Sequence, residues 1–257
     1  MSIPSVVVLV SSLVCTTPLV GTSLRPDETT VVARALAEWK DVRARGAFAS
    51  TPVPRLDFAT AVEGVARAQK QADAARGKAV DLVLLGDSIT ANWLEPGKGS
   101  SVWPDLTNSL SVVNLGVSGE KVQNVLWRAV NGQLDGYRTR RVVILAGTNN
   151  LNRDAPDDVA RGLGTLVDAV AEKQPDAEVV LVKLLPRGRE PQHRARLFVG
   201  AVNAALVPLA KSRGVRLADV GSAFLDEKGR QKDGLWADDV HPSEAGYRLL
   251  LDFLLAL

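Results

Sequence analysis

The stretch VDLVLLGDSIT at residues 80–90 decides the fold. Apart from Asp81, its first six residues are apolar without alternation, the pattern of a strand buried on both faces. Gly86 ends the run, and Asp87-Ser88-Ile89-Thr90 reads as a turn opening a helix. Four more runs of this kind follow: SVVNLG at 111–116, RVVILAG at 141–147, AEVVLVKLL at 177–185 and VRLADV at 215–220. Helix-length amphipathic segments lie between them, at 119–131, 156–173 and 193–212, with a last one at 243–256. Buried strands alternating with helices imply an α/β fold: a three-layer sandwich around a five-stranded parallel sheet. Ligands of such sheets bind outside the carboxyl ends of the strands, so the chemistry is sought there.

The first strand end carries Ser88. A serine directly after a strand and opening a helix sits where backbone N–H groups and the helix dipole favour negative charge. That suits a nucleophile whose attack creates an oxyanion; equally, Ser88 or Asp87 would serve as a helix N-cap. The second strand runs into NLGVSG at 114–119, where Gly116 and Gly119 permit a tight turn with an N–H facing a pocket, or a plain turn. The third runs into GTNN at 147–150, where an asparagine amide is either a donor into the same pocket or a loop cap. The fourth element is Asp238-Asp239-Val240-His241-Pro242. An aspartate three residues before His241 can fold back and hold the imidazole in one tautomer; a solvated loop histidine is the alternative. The chain has two histidines, and the other, His193, precedes a charged helix and reads as solvated.

Taken together and in this order, the four blocks resemble those of the SGNH (GDSL) hydrolase family, which sits on a flavodoxin-like sheet. The resemblance runs from about Asp81 to Leu257, roughly two-thirds of the chain. Within the family, VLWRAVNGQL at 125–134, GTNN at 147–150 and KLLPRG at 183–188 are similar to the catalytic subunits of platelet-activating-factor acetylhydrolase. The resemblance implies Ser88 as nucleophile, His241 as general base and then acid, and Asp238 as its orienting carboxylate. The family spacing Asp-x-x-His favours Asp238 over its neighbour Asp239. It also implies an oxyanion hole from the N–H groups of Ser88 and Gly119 and the side-chain amide of Asn149. Ile89, Thr148 and Val240 match positions that shape the acyl pocket. The activity implied is that of a serine esterase removing short acyl groups, acetyl above all, from a carbohydrate or lipid-like alcohol. No metal or organic cofactor is implied. Two other readings fit the same fold: a non-catalytic carbohydrate-binding module, which leaves Ser88 and His241 idle, and a flavodoxin-like phosphate binder, which leaves Asp238 and His241 unexplained.

Composition narrows the partners. Thirty-one basic and 29 acidic residues leave a net charge of +2, too small to attract nucleic acid strongly. A small-molecule or glycan ester is the expected partner. One cysteine, Cys15, excludes an intramolecular disulfide or a thiolate metal cluster. The chain lacks the repeated apolar spans of a polytopic membrane protein. Residues 1–23 are the exception. Positions 3–21 are uncharged and rich in Val and Leu, which reads as a signal or hydrophobic anchor cleaved near Gly21 to Ser23, although a basic leader is missing. Export to the periplasm or beyond follows from that reading; a terminal hydrophobic strand on a cytoplasmic protein is the alternative. Residues 24–79 form a helical amino-terminal extension, with helices expected at 30–45 and 57–77 separated by TPVPR at 51–55. Residues 80–257 form the hydrolase domain. Trp93 and Trp103 fall in the first loop region and read as buried packing or as sugar-stacking platforms. Arg187 and Arg189, in the 186–196 loop, read as solvated or as contacts to an anionic substrate group.

Overall fold

A computed structural model describes residues 49–55 and 59–257. The apolar run at 1–23 and the helix expected at 30–45 lie outside the described residues. The five apolar runs form strands β1 (Ala79–Gly86), β2 (Val112–Gly116), β3 (Arg138–Leu145), β4 (Glu178–Val182) and β5 (Arg216–Ala218). All pairings are parallel, in the order β2-β1-β3-β4-β5. Leu82, Val83, Leu84 and Leu85 of β1 are all buried, as the lack of alternation requires of a central strand covered on both faces. Gly86 pairs in register with Gly116 on one side and Leu145 on the other. Three strand ends therefore finish at one level. The chain leaves β1 for β2 on one side and returns to β3 on the other, so these ends flank the switch point where α/β sheets bind ligands.

The helices are α1 (Ala59–Ala75), α2 (Ser88–Ala91), α3 (Trp103–Thr107), α4 (Val122–Arg128), α5 (Pro156–Lys173), α6 (Arg194–Arg213) and α7 (Glu244–Ala256). Along one layer α1 meets the Ala129–Gln133 turn that follows α4, and α4, α5 and α6 pack in succession, while α3 meets α7 in the other. Ala61, Ala68, Ala72 and Ala75 lie along one face of α1, and all four are buried. Such small side chains let the helix approach β2 closely, and a side chain at Gly64 would strike Val117. The helix expected at 57–77 is thus a packed part of the sandwich and shares the core of the strands.

Several boundaries differ from the sequence reading, the third strand starting at Arg138 and the fifth ending at Ala218, and two of the differences have a visible cause. The fourth strand ends at Val182, although the apolar run continues to Leu185. Leu184 and Leu185 stay buried, but Asn203 of α6 takes over the ladder there: its side chain accepts from Leu184 N at 2.8 Å and donates to Leu184 O at 3.0 Å. The helix expected at 119–131 is shortened to 122–128 and followed by a wider turn at 129–133, where Gly132 adopts a φ of +104°. Among the described residues no helix is long and apolar enough to cross a membrane.

Candidate active site

Ser88 stands at the end of β1. Asp87, just before it, is the N-cap of α2: its Oδ1 accepts from Ile89 N at 3.0 Å. The cap thus falls to the aspartate, and Ser88 Oγ lies 2.9 Å from His241 Nε2 instead. His241 Nδ1 is 2.7 Å from Asp238 Oδ2. With the proton on Nδ1 directed at that carboxylate, Nε2 is the acceptor facing the serine hydroxyl. The other oxygen, Asp238 Oδ1, accepts from the backbone N–H groups of both Val240 and His241, each at 2.7 Å. Burial pulls the Asp238 pKa up, but the His241 ring and these two amides together outweigh it and hold the carboxyl below its usual range. Asp239 is exposed. It contributes its carbonyl, which accepts from Gly188 N at 2.9 Å and from Gln231 Nε2 at 3.1 Å.

The histidine loop is tied to the serine turn from behind. Pro242 is buried, Ser243 caps α7, and the first turn of that helix carries Tyr247, which is fully buried. The Tyr247 hydroxyl donates to Ile89 O at 2.7 Å, joining the helix after His241 to the residue after Ser88. Burial, with Asp87 nearby, raises the Tyr247 pKa, so the phenol stays a donor. Trp93 packs edge-on against Tyr247, with centroids 4.8 Å apart, and Trp103 tilts against Trp93 at 6.1 Å. Trp93 is 3% exposed, so core packing is its role and sugar stacking is not.

Gly119 follows β2 and Asn149 follows β3, the two strands that flank β1. Gly119 has a φ of +76°, a left-handed conformation that favours glycine. Asn149, half-buried, donates from Nδ2 to Glu120 O at 2.9 Å, which uses one of its two amide hydrogens. Thr148 is buried, and its carbonyl accepts from Arg187 at 2.7 Å, so Arg187 braces this turn. Arg189 is exposed and pairs with Asp233 at 2.7 Å. Val240 is half-buried beside the imidazole. Ile89, expected at the acyl pocket, is 3% exposed and lines an apolar cavity with Leu84, Val143, Val182 and Leu250 in the core.

Three supports complete the site, the first two of them missed by the sequence reading. Glu120 and Arg128 form a fully buried ion pair, with Nη2 to Oε2 at 2.7 Å, and the same Nη2 reaches Gly86 O at 3.2 Å. One guanidinium thereby links the end of β1 to the Gly119 turn; the sequence hint was the charges of both signs, Glu120, Lys121 and Arg128, in one amphipathic, helix-length stretch. Asn150 is buried and accepts from Val122 N at 3.1 Å while donating to Gln123 Oε1 at 3.0 Å and Asp154 Oδ2 at 2.8 Å. It binds the Asn149 turn to the start of α4. The third is Asp87, wholly buried, whose Oδ2 finds no hydrogen-bond partner among the described residues. Burial pushes its pKa up to about 7, against the pull of the Ile89 N–H. Among the described residues no cluster of three or more His, Cys, Asp or Glu is placed to hold a metal.

A hydroxyl in contact with an imidazole that has a carboxylate behind it can carry acyl transfer. The chain's relatives agree with that chemistry. Residues 84–249 match the GDSL-like lipase/acylhydrolase family. The human platelet-activating factor acetylhydrolase IB subunit alpha2 is 30% identical over 173 residues, covering 67% of this chain and 73% of that protein. The human alpha1 subunit is 32% identical over 175 residues, covering 67% and 72%. In fold, the chain superimposes on a GDSL-like lipase from Bacteroides thetaiotaomicron with a TM-score of 0.57 at 22% identity, covering 76% of this chain and 93% of that one. The chain therefore belongs to the GDSL-like lipase/acylhydrolase family and is a carboxylic ester hydrolase.

Proposed function

We propose that this hydrolase works through a Ser88–His241–Asp238 triad and an acyl-enzyme on Ser88. The observation that carries the reading is the continuous contact line from Ser88 Oγ through the imidazole to Asp238, 2.9 and 2.7 Å long at its two links. Ser88 Oγ attacks the ester carbonyl carbon as its proton passes to His241 Nε2. The Ser88 and Gly119 N–H groups and the Asn149 amide receive the oxyanion, each such donor typically lowering the barrier by about 2.7–4 kcal/mol. Collapse of the intermediate expels the alcohol, which takes the proton from Nε2. Water then attacks the acyl-enzyme with His241 again as base, releasing the acid and restoring Ser88. The low pKa of Asp238 supports this cycle, because an ionised carboxylate stabilises the imidazolium formed in each half.

The acyl group is short, acetyl above all. Thr148 and Val240 border the catalytic groups and both are β-branched and stiff, so neither swings aside for a longer chain. Ile89, held in the core, backs this wall from beneath. That its relatives are named acetylhydrolases supports the same choice. The alcohol is a carbohydrate or a lipid-like one. Acetate release from acetylated xylan, O-acetyl sialate, O-acetyl glucosamine and an acetyl phospholipid tests the substrate class. Acetate from at least one of them is expected; hydrolysis confined to long-chain esters would overturn the reading.

A further inference from the structure

We propose that Arg55 is a positioning residue for the Gly119 donor: it grips the Ser118 carbonyl and so aims and strengthens the Gly119 N–H. The inference rests on the oxyanion reading of Gly119 given above.

Arg55 lies ahead of the family-matched residues 84–249, in a short strap at 49–55 laid over the front of the sandwich. The strap is pinned at both ends. Val53 N donates to Gln123 O at 3.0 Å, and Asn124 Nδ2 donates to Val53 O at 2.9 Å, fixing it to α4. Ala49 is buried against Gly162 of α5, where any β-carbon would strike the Ala49 backbone. From this anchored strap Arg55 Nη1 donates to Ser118 O. Its guanidinium also covers Gly119 so closely that a β-carbon there would collide with it.

The carbonyl of Ser118 and the N–H of Gly119 belong to one peptide unit. That unit is trans, so the two groups point in opposite directions across a single plane. A guanidinium holding the oxygen on the outer side therefore fixes the hydrogen on the inner side. A charged donor on the carbonyl also polarises the amide, which makes its N–H a stronger donor to a developing oxyanion. Three other arginines hold carbonyls near the site: Arg128 on Gly86, Arg67 on Gly116 and Arg187 on Thr148. Arg55 differs in that the peptide it holds is itself a proposed donor.

Steady-state kinetics of the full chain and its Arg55→Ala, Arg55→Gln and Arg55→Lys variants test this, using p-nitrophenyl acetate and the matching thionoester. Sulfur accepts hydrogen bonds weakly, so a defect in an oxyanion donor shows mainly with the oxygen ester. Arg55→Ala and Arg55→Gln should lower kcat for the oxygen ester about tenfold with KM within about twofold, and lower thionoester turnover by less than about threefold. Arg55→Lys should restore most of the loss. Equal losses with both esters, or a change in KM alone, would overturn the proposal for Arg55. Asn149→Ala is the reference: it should also discriminate the two esters. If it does not, the oxyanion reading itself fails and the Arg55 proposal falls with it.

Discussion

Two aspartates flank the Ser88–His241 contact, and the molecule treats them in opposite ways. Asp87 is wholly buried beneath the serine turn, one oxygen capping α2 and the other without a partner among the described residues, and its pKa is pushed up to about 7. Asp238 lies on an exposed loop, accepts from two amides and an imidazole, and is held below the ordinary carboxylate range. The serine end of the site is thus built by long-range packing, with strand register, Arg128 and Tyr247 all converging on residues 86–89. The histidine end is built locally, by a carboxylate that folds four residues around itself. Losing a group that holds the serine turn in place, Arg128 or Tyr247, should therefore disturb stability as well as turnover, whereas losses at the histidine end should be confined to chemistry.

The largest effect breaks the contact itself. Ser88→Ala and His241→Ala should each lower kcat by several orders of magnitude while the circular dichroism spectrum and Tm stay near wild type, because nucleophile and base act as a unit. More than about a tenth of wild-type kcat in folded Ser88→Ala would remove Ser88 from its role.

Next, Asp238→Asn tests the self-organised loop. It keeps the shape but loses the charge that fixes the imidazole, and an analogous change in serine proteases costs about 10⁴ in kcat. Asp239→Asn should stay within about threefold of wild type, since only the Asp239 carbonyl is used. The reverse ranking would show that the carboxylates have been assigned the wrong way round.

The serine end is sharpened by pH-dependent stability. A carboxyl whose folded pKa is about 7, against about 3.8 in the unfolded chain, favours folding at low pH and loses that advantage as pH rises through the folded value. Urea unfolding of wild type and Asp87→Asn should therefore diverge between pH 4 and pH 8, the wild type falling relative to the variant by up to about 4 kcal/mol. The asparagine keeps the acceptor for the Ile89 N–H, so the cap survives. A difference independent of pH would mean that Asp87 does not titrate in this window.

The smallest effect concerns acyl length. Overfilling a packed site costs about 1–3 kcal/mol, so kcat/KM should fall roughly 10- to 100-fold from p-nitrophenyl acetate to hexanoate. A preference rising with chain length would mean an open cleft beside Thr148 and Val240.

Legibility in the sequence follows the same division. The strands were readable because each carries an apolar run without alternation, and α5 was readable because its opening proline and its period agree over Pro156–Lys173. Asp238 and His241 were readable because their interaction spans three residues and needs no knowledge of the fold. What escaped was contact across long separations. Arg55 on Ser118, Arg128 on Gly86 and Tyr247 on Ile89 join residues 42 to 158 positions apart. No periodicity or spacing encodes such pairs. Ile89 shows the converse: its neighbour in sequence faces the cleft, but the turn of α2 sends its own side chain into the core.

The central claim is that Ser88, activated by His241 and Asp238, is the group that becomes acylated. Peptide mass spectrometry after labelling with a fluorophosphonate tests this directly, comparing wild type, His241→Ala and Asp238→Asn at equal times. One stoichiometric adduct on the Ser88 peptide is predicted in the wild type, with loss of esterase activity in proportion and labelling slowed by at least about 100-fold in both variants. An adduct on another residue, or full inhibition with Ser88 unmodified, would contradict it.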